Sequence, residues 1–244
     1  GILSVFFTAG FPTVDDTQRI AEQLQASGVD MIEIGIPFSD PVADGPVIQE
    51  SNTRALANGM TLKTLLSQVK QIRAKVNIPI LLMGYLNPVI QYGVEKFCVD
   101  FAAAGIDGVI LPDLPADVFQ REYQALFHEY GLKNVFLISP TTSDERIRKI
   151  DTASAGFIYA VSSSSTTGAK KDFSDEQQAY FEKLQGMKLR NPFLIGFGVS
   201  SHSTFLKACR FGSGAIVGSA FISLLKSSTD VAADVPRFIK ELRG

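Results

Sequence analysis

"DMIEIGIPFSDPVADGP" (30–46) opens as a β-strand and closes as a turn, and the parity of its side chains decides where much of the remaining chain can sit. Side chains alternate along a strand, so Ile32, Ile34 and Ile36 share one face while Met31, Glu33 and Gly35 share the other. An all-isoleucine face suits a covering layer of helices. Glu33 then points to the opposite side, into whatever the strands enclose. A carboxylate taken out of water without partners either costs several kcal/mol or holds its proton to higher pH, and both outcomes suit an acid/base group. The alternative is a structural glutamate paired with a buried cation or backbone amides, yet the interior strand faces offer no lysine or arginine to pair with it.

Outward from this strand the same rhythm recurs. Short β-rich runs stand at "ILSVFFT" (2–8), "IPILLMG" (78–84), "GVILP" (108–112), "NVFLIS" (134–139), "GFIYAVS" (156–162), "PFLIGFG" (192–198) and "GAIVG" (214–218). Helical patterns lie between them, such as "TQRIAEQLQASG" (17–28), "TLKTLLSQVKQIRAKV" (61–76), "VEKFCVDFAAAG" (94–105) and "FQREYQALFHEYG" (119–131), several closed by a glycine. Eight strands alternating with helices predict a parallel sheet. In 244 residues with no visible domain linker, the simplest architecture is a single α/β domain closed into a (β/α)8 (TIM) barrel. An open, doubly wound sheet is the alternative. The longest units run from residue 30 to 78 and from 156 to 192, which predicts extended loops after strands 2 and 6, where such barrels carry their catalytic parts.

Composition narrows the partners. The net charge of −2 leaves no basic surplus for a phosphate backbone, so nucleic acid is not expected. Apolar runs are too short to span a bilayer and no signal sequence opens the chain, so a soluble protein is expected, in the cytoplasm or, in a plant, the plastid. Cys98 and Cys209 fall in amphipathic helical patterns and have no metal-knuckle or redox spacing.

The remaining chemistry lies after the strands. Asp-Pro and Asp-Gly are turn dipeptides, so Asp40 and Asp44 have an ordinary role open to them, but both follow the strand bearing Glu33 on the longest insertion. "STTGA" (165–169), "GFGVSS" (196–201) and "GSA" (218–220) follow late strands, and the last two run through glycine into a helix opening with serine. Exposed N–H groups at such helix ends suit a phosphate, and Gly198, Gly218 and Ser219 stand where barrels commonly bind one. A flexible linker or a mobile lid is the other use of "SSSSTTGAKK". His128 and His202 lie on helix patterns as surface or capping residues, and the strand runs contain no lysine, so neither a metal nor a Schiff base is expected. With Phe6, Leu82, Ile110, Tyr159 and Phe197 lining the mouth, the expected substrate is aromatic or apolar with a phosphate tail, transformed by proton transfer alone.

"IEIGIPFSDPVADGPVIQ" (32–49) resembles the signature of the tryptophan synthase α subunit family. "FFTAGFP" (6–12), "LLMGYLNP" (81–88), "VILPDLP" (109–115), "TTGA" (166–169), "GFGVSS" (196–201) and "GSAF" (218–221) match its other blocks in order. The resemblance implies cofactor-free retro-aldol cleavage of indole-3-glycerol phosphate to indole and glyceraldehyde 3-phosphate. Glu33 would protonate indole C3 and then take the glycerol hydroxyl proton, and Asp44 would accept the indole N–H. Gly168, Gly198, Gly218 and Ser219 would contact the phosphate, and Thr167 would orient Asp44. Phe6, Leu82, Ile110, Ile138, Tyr159 and Phe197 would form the indole pocket. The family's partner is a pyridoxal-phosphate-dependent β subunit in an α2β2 heterotetramer, with Pro37, Asp40 and Asn87 in segments facing it. Two departures are visible: the family's usual N-terminal helix does not precede the first strand, and the sixth loop lacks the arginine and glycine that many relatives carry before the threonine.

Overall fold

The computed structural model describes residues 1–162 and 173–244. Its strands are β1 (Ile2–Thr8), β2 (Met31–Gly35), β3 (Ile80–Met83), β4 (Gly108–Ile110), β5 (Lys133–Val135), β6 (Leu137–Ile138), β7 (Ile158–Val161), β8 (Phe193–Gly196) and β9 (Gly214–Val217). All observed pairings are parallel, in the order β5-β4-β3-β2-β1-β9-β8-β7-β6. The two ends of that order are one predicted strand interrupted at Phe136: β5 pairs with β4 and β6 with β7, so the sheet wraps into a barrel of eight positions. β5 also starts one residue earlier than the sequence suggests, at Lys133, whose exposed side chain stands at the end of the barrel opposite the mouth.

The helices follow the strands in turn: α1 (Asp16–Ala26), α2 (Pro46–Ala57), α3 (Leu62–Arg73), α4 (Leu86–Tyr92), α5 (Val94–Ala103), α6 (Ala116–Val118), α7 (Gln124–Glu129), α8 (Asp144–Ala153), α9 (Asp175–Gly186), α10 (His202–Phe211), α11 (Ser219–Ser227) and α12 (Val231–Arg243). A π-helical turn, Phe119–Tyr123, joins α6 to α7. The extension after β2 is a loop leading into an extra helix, α2, which starts with proline at its first turn, where the missing N–H is no loss. Residues of the predicted sixth extension fall mostly outside the described residues.

Register separates two layers of core. Ile32 and Ile34 pair with Ile80 and Leu82 on the helix-facing side, while Glu33 pairs with Leu81 on the inner side. Met31, Leu81, Ile110, Val135, Tyr159 and Leu194 belong to a distinct inner apolar cluster. Strands buried on both faces by helices and barrel contents read as continuous apolar runs, which is how β3 and β9 look. Among the described residues no helix is long and apolar enough to cross a membrane.

Candidate active site

Glu33 is fully buried inside the barrel, opposite Phe6 on β1 and Leu81 on β3. Its Oε1 accepts a hydrogen bond from the Ser4 hydroxyl at 2.7 Å, and its Oε2 is buried without a partner among the described residues. No lysine or arginine pairs with it among the described salt bridges. Burial, opposed only by the Ser4 bond, lifts its carboxyl from 4.5 to about 7. Glu33 is therefore a weak acid divided between its two protonation states near neutrality.

Asp44 stands at the barrel mouth on the loop between β2 and α2, with a different environment. Burial raises its pKa, while hydrogen bonds from the Tyr85 hydroxyl and the Asn52 side chain pull it back. The loop is held in the same way: the Ala43 N–H donates to the Tyr85 oxygen at 3.0 Å, and Gln49 Nε2 donates to the Asp44 carbonyl at 2.8 Å. A small pocket opens here, lined by Phe6, Gly35, Asp44, Asn52, Met83 and Tyr85 among others.

Across the barrel, the Tyr159 hydroxyl is kept neutral by burial and by the negative charges of Glu33 and Asp44. Its ring meets Phe197 edge-on at 6.1 Å between centroids. A Cβ at Gly196 would fall 2.4 Å from the Tyr159 oxygen, so this strand position is open only to glycine. The next two residues, Phe197 (φ 63°) and Gly198 (φ 79°), both adopt the left-handed region. For phenylalanine that is strained, and Ser162 Oγ holds the turn by donating to the Phe197 carbonyl at 2.7 Å. Gly218 leads into α11, whose first N–H groups have no side-chain cap, with Ser219 exposed at the first position. Uncapped helix N-termini attract anions.

This arrangement of barrel, buried carboxyl and polar mouth has close relatives. The family profile "Tryptophan synthase alpha chain" matches residues 2–242. The chain belongs to the tryptophan synthase alpha chain family. It is 53% identical to the tryptophan synthase alpha chain of Flavobacterium johnsoniae, with 99% of this chain and 95% of that one covered. The alpha chain of Parabacteroides distasonis is also 53% identical, with 100% and 95% covered. Among solved structures, Mycobacterium tuberculosis tryptophan synthase superposes with a TM-score of 0.90 at 32% identity, covering 100% of this chain and 91% of that one. A tryptophan synthase complex from Pyrococcus furiosus gives 0.88 at 35% identity, with 99% and 97% covered.

Within this alpha-chain fold, Phe6, Ile110, Tyr159 and Phe197 lie on the inner side or at its rim, with Glu33 and Asp44. Two residues expected in the pocket do not. Leu82 pairs with Ile34, and Ile138 with Ala160, so both face the helical layer; their neighbours Leu81, Met83 and Leu137 take the inner positions. Asp40 and Asn87 are exposed, but Pro37 is buried within the chain as the strand leaves the barrel and offers a partner no free surface. Ser201 does not open α10: it caps it, its hydroxyl accepting from the Thr204 N–H, and the helix starts at His202. His202 Nδ1 meets the Leu242 carbonyl at 3.0 Å, and His128 is exposed on α7. Thr167 and Gly168 lie outside the described residues.

Ser4, Asn52 and Tyr85 were not singled out by the sequence. Ser4 carries a readable signal, a hydroxyl that shares the parity of Phe6 on β1. Asn52 and Tyr85 carry none, because their convergence on Asp44 joins α2 to the loop after β3.

Proposed function

We propose that this chain performs the α reaction of tryptophan biosynthesis, cleaving indole-3-glycerol phosphate to indole and glyceraldehyde 3-phosphate. The observation that carries the catalytic reading is Glu33: a carboxyl sealed in an apolar barrel, lifted to about 7, with one oxygen unpaired. In its protonated form Glu33 delivers a proton to indole C3. The bond from C3 to the glycerol chain then breaks, its electron pair remains with the indole ring, and the glycerol hydroxyl becomes the aldehyde carbonyl. The hydroxyl proton returns to Glu33, so the group ends as it began.

Asp44 accepts the indole N–H and steadies the positive charge that C3 protonation places on the ring. Its support is its place on the pocket wall and the two donors that keep it oriented. Phe6, Ile110, Tyr159, Phe197 and Met83 enclose the ring. The uncapped start of α11 at Gly218 and Ser219, with the left-handed Gly198 turn and Gly168, receives the phosphate, and Thr167 orients Asp44.

The partner in this reading is a tryptophan synthase β subunit, supported by the likeness to the Pyrococcus furiosus complex and approached from the face carrying Asp40 and Asn87. A cytoplasmic setting is supported by the bacterial sources of the relatives. The test is indole release from indole-3-glycerol phosphate, measured with and without a β subunit. Turnover that rises by orders of magnitude on addition of the β subunit is expected. No release in either case removes the assignment, and full release without the partner makes the chain a stand-alone lyase.

A further inference from the structure

The two oxygens of Glu33 are not equivalent. Ser4 lies on β1 opposite Met31 and beside Ile216 of β9, two residues before the Phe6 that faces Glu33, so its side chain enters the same interior. It is 0% exposed in an apolar setting, where a hydroxyl without a partner is costly. Among the described residues its partner is Glu33 Oε1, at 2.7 Å, while Oε2 is buried and unpaired.

We propose that Ser4 is a positioning residue for the cleavage: by donating to Oε1 it fixes the carboxyl plane and reserves Oε2 as the oxygen that delivers and reclaims the proton. This rests on the reading of Glu33 as the acid/base group. In the protonated acid, Oε1 remains the acceptor and the proton sits on Oε2, facing the reacting carbon. In the carboxylate, the Ser4 bond becomes charge-assisted and stabilises the ionised form against burial. The other titratable groups nearby are Tyr159 on β7, held neutral, and Asp44 at the mouth. Leu81, Ile110, Val135, Leu137, Leu194 and Ile216 bring no charge from the other strands.

The test uses Ser4→Ala and Ser4→Thr in the full chain with its β subunit. In Ser4→Ala, kcat on the acid plateau is expected to fall about tenfold with KM unchanged, and the alkaline limb of the pH profile to move up by about one unit. Ser4→Thr, which keeps the hydroxyl, is expected to retain the wild-type limb. A folded Ser4→Ala protein with an unmoved limb overturns the proposal, whether or not kcat falls, because a purely structural loss would leave the limb in place.

A second readout is independent of turnover. The carbonyl stretch of protonated Glu33, assigned by its loss in Glu33→Gln, is followed by infrared titration without substrate. In Ser4→Ala the band is expected at higher frequency with its midpoint shifted to higher pH. An unchanged band and midpoint overturn the proposal. Should the wild type release no indole, the functional reading fails while the infrared result still decides whether Ser4 governs Glu33.

Discussion

Glu33 and Asp151 are both buried carboxyls, and they behave in opposite ways. Asp151, on α8 and 6% exposed, accepts the backbone N–H groups of Arg190 at 2.8 Å and Asn191 at 2.9 Å and the Asn191 side-chain amide at 3.0 Å. Burial pushes its pKa up, but those donors outweigh burial and leave it below the ordinary aspartate value. Among the described residues Glu33 has a single donor, Ser4, and burial wins. Burial by itself therefore does not make a catalytic acid. The number of donors aimed at the carboxylate decides whether it becomes a brace, tying α8 to the segment before β8, or a group able to exchange a proton.

The sharpest way to break that contrast is Glu33→Gln, expected to lower kcat by about 10³-fold or more while substrate still binds; general acid/base groups commonly contribute on that scale. Appreciable residual indole release would remove Glu33 from its role. The same variant tests the electrostatics. Glu33 holds its proton more tightly folded than unfolded, so its contribution to stability falls as pH rises from about 4.5 to 7 and stays low above that. Relative to wild type, Glu33→Gln should gain about 3 kcal/mol between pH 5 and 8 in urea unfolding, and a pH-independent difference would contradict a raised carboxyl.

Asp44→Asn comes next, with an expected loss of about 10²-fold in kcat/KM and inorganic phosphate affinity nearly intact. A large drop in phosphate binding would place Asp44 in the wrong subsite. Asp151→Ala should cost about 2 kcal/mol of stability by stranding the N–H groups of Arg190 and Asn191, with kcat unchanged. Its pH dependence has the opposite sign to that of Glu33: the Asp151 contribution is present above the unfolded aspartate value and is lost as pH falls through the lower folded one. The smallest effect is expected of Tyr85→Phe, a few-fold fall in kcat/KM from a less firmly held Asp44. No change at all would mean that Asn52 suffices.

Legibility followed chemical contrast. In β2 the acid among isoleucines made parity readable, and Glu33 entered the barrel as its alternation required. In β3 and in the strand broken at Phe136 both faces are apolar, so nothing in "ILLM" or "VFLI" marks which leucine or isoleucine turns inward. From its strand run Leu82 is expected at the mouth, and the resemblance adds Ile138 to the pocket, yet both turn outward, because a one-residue change of parity moves a side chain from one face to the other. Pro37 shows the same limit in a loop: the sequence marks the turn but not which of its residues are covered.

By itself the sequence determined the strand and helix rhythm, the enclosed Glu33, the glycines after the late strands and the family resemblance, because each rests on local periodicity or on a motif contiguous along the chain. Tertiary structure alone decided that Ser4 meets one oxygen of Glu33 and leaves the other unpaired, that Tyr85 and Asn52 converge on Asp44, and which apolar side chains line the pocket. Those facts depend on register between strands and on distances across the barrel, where residues far apart in the chain set one another's solvation and charge.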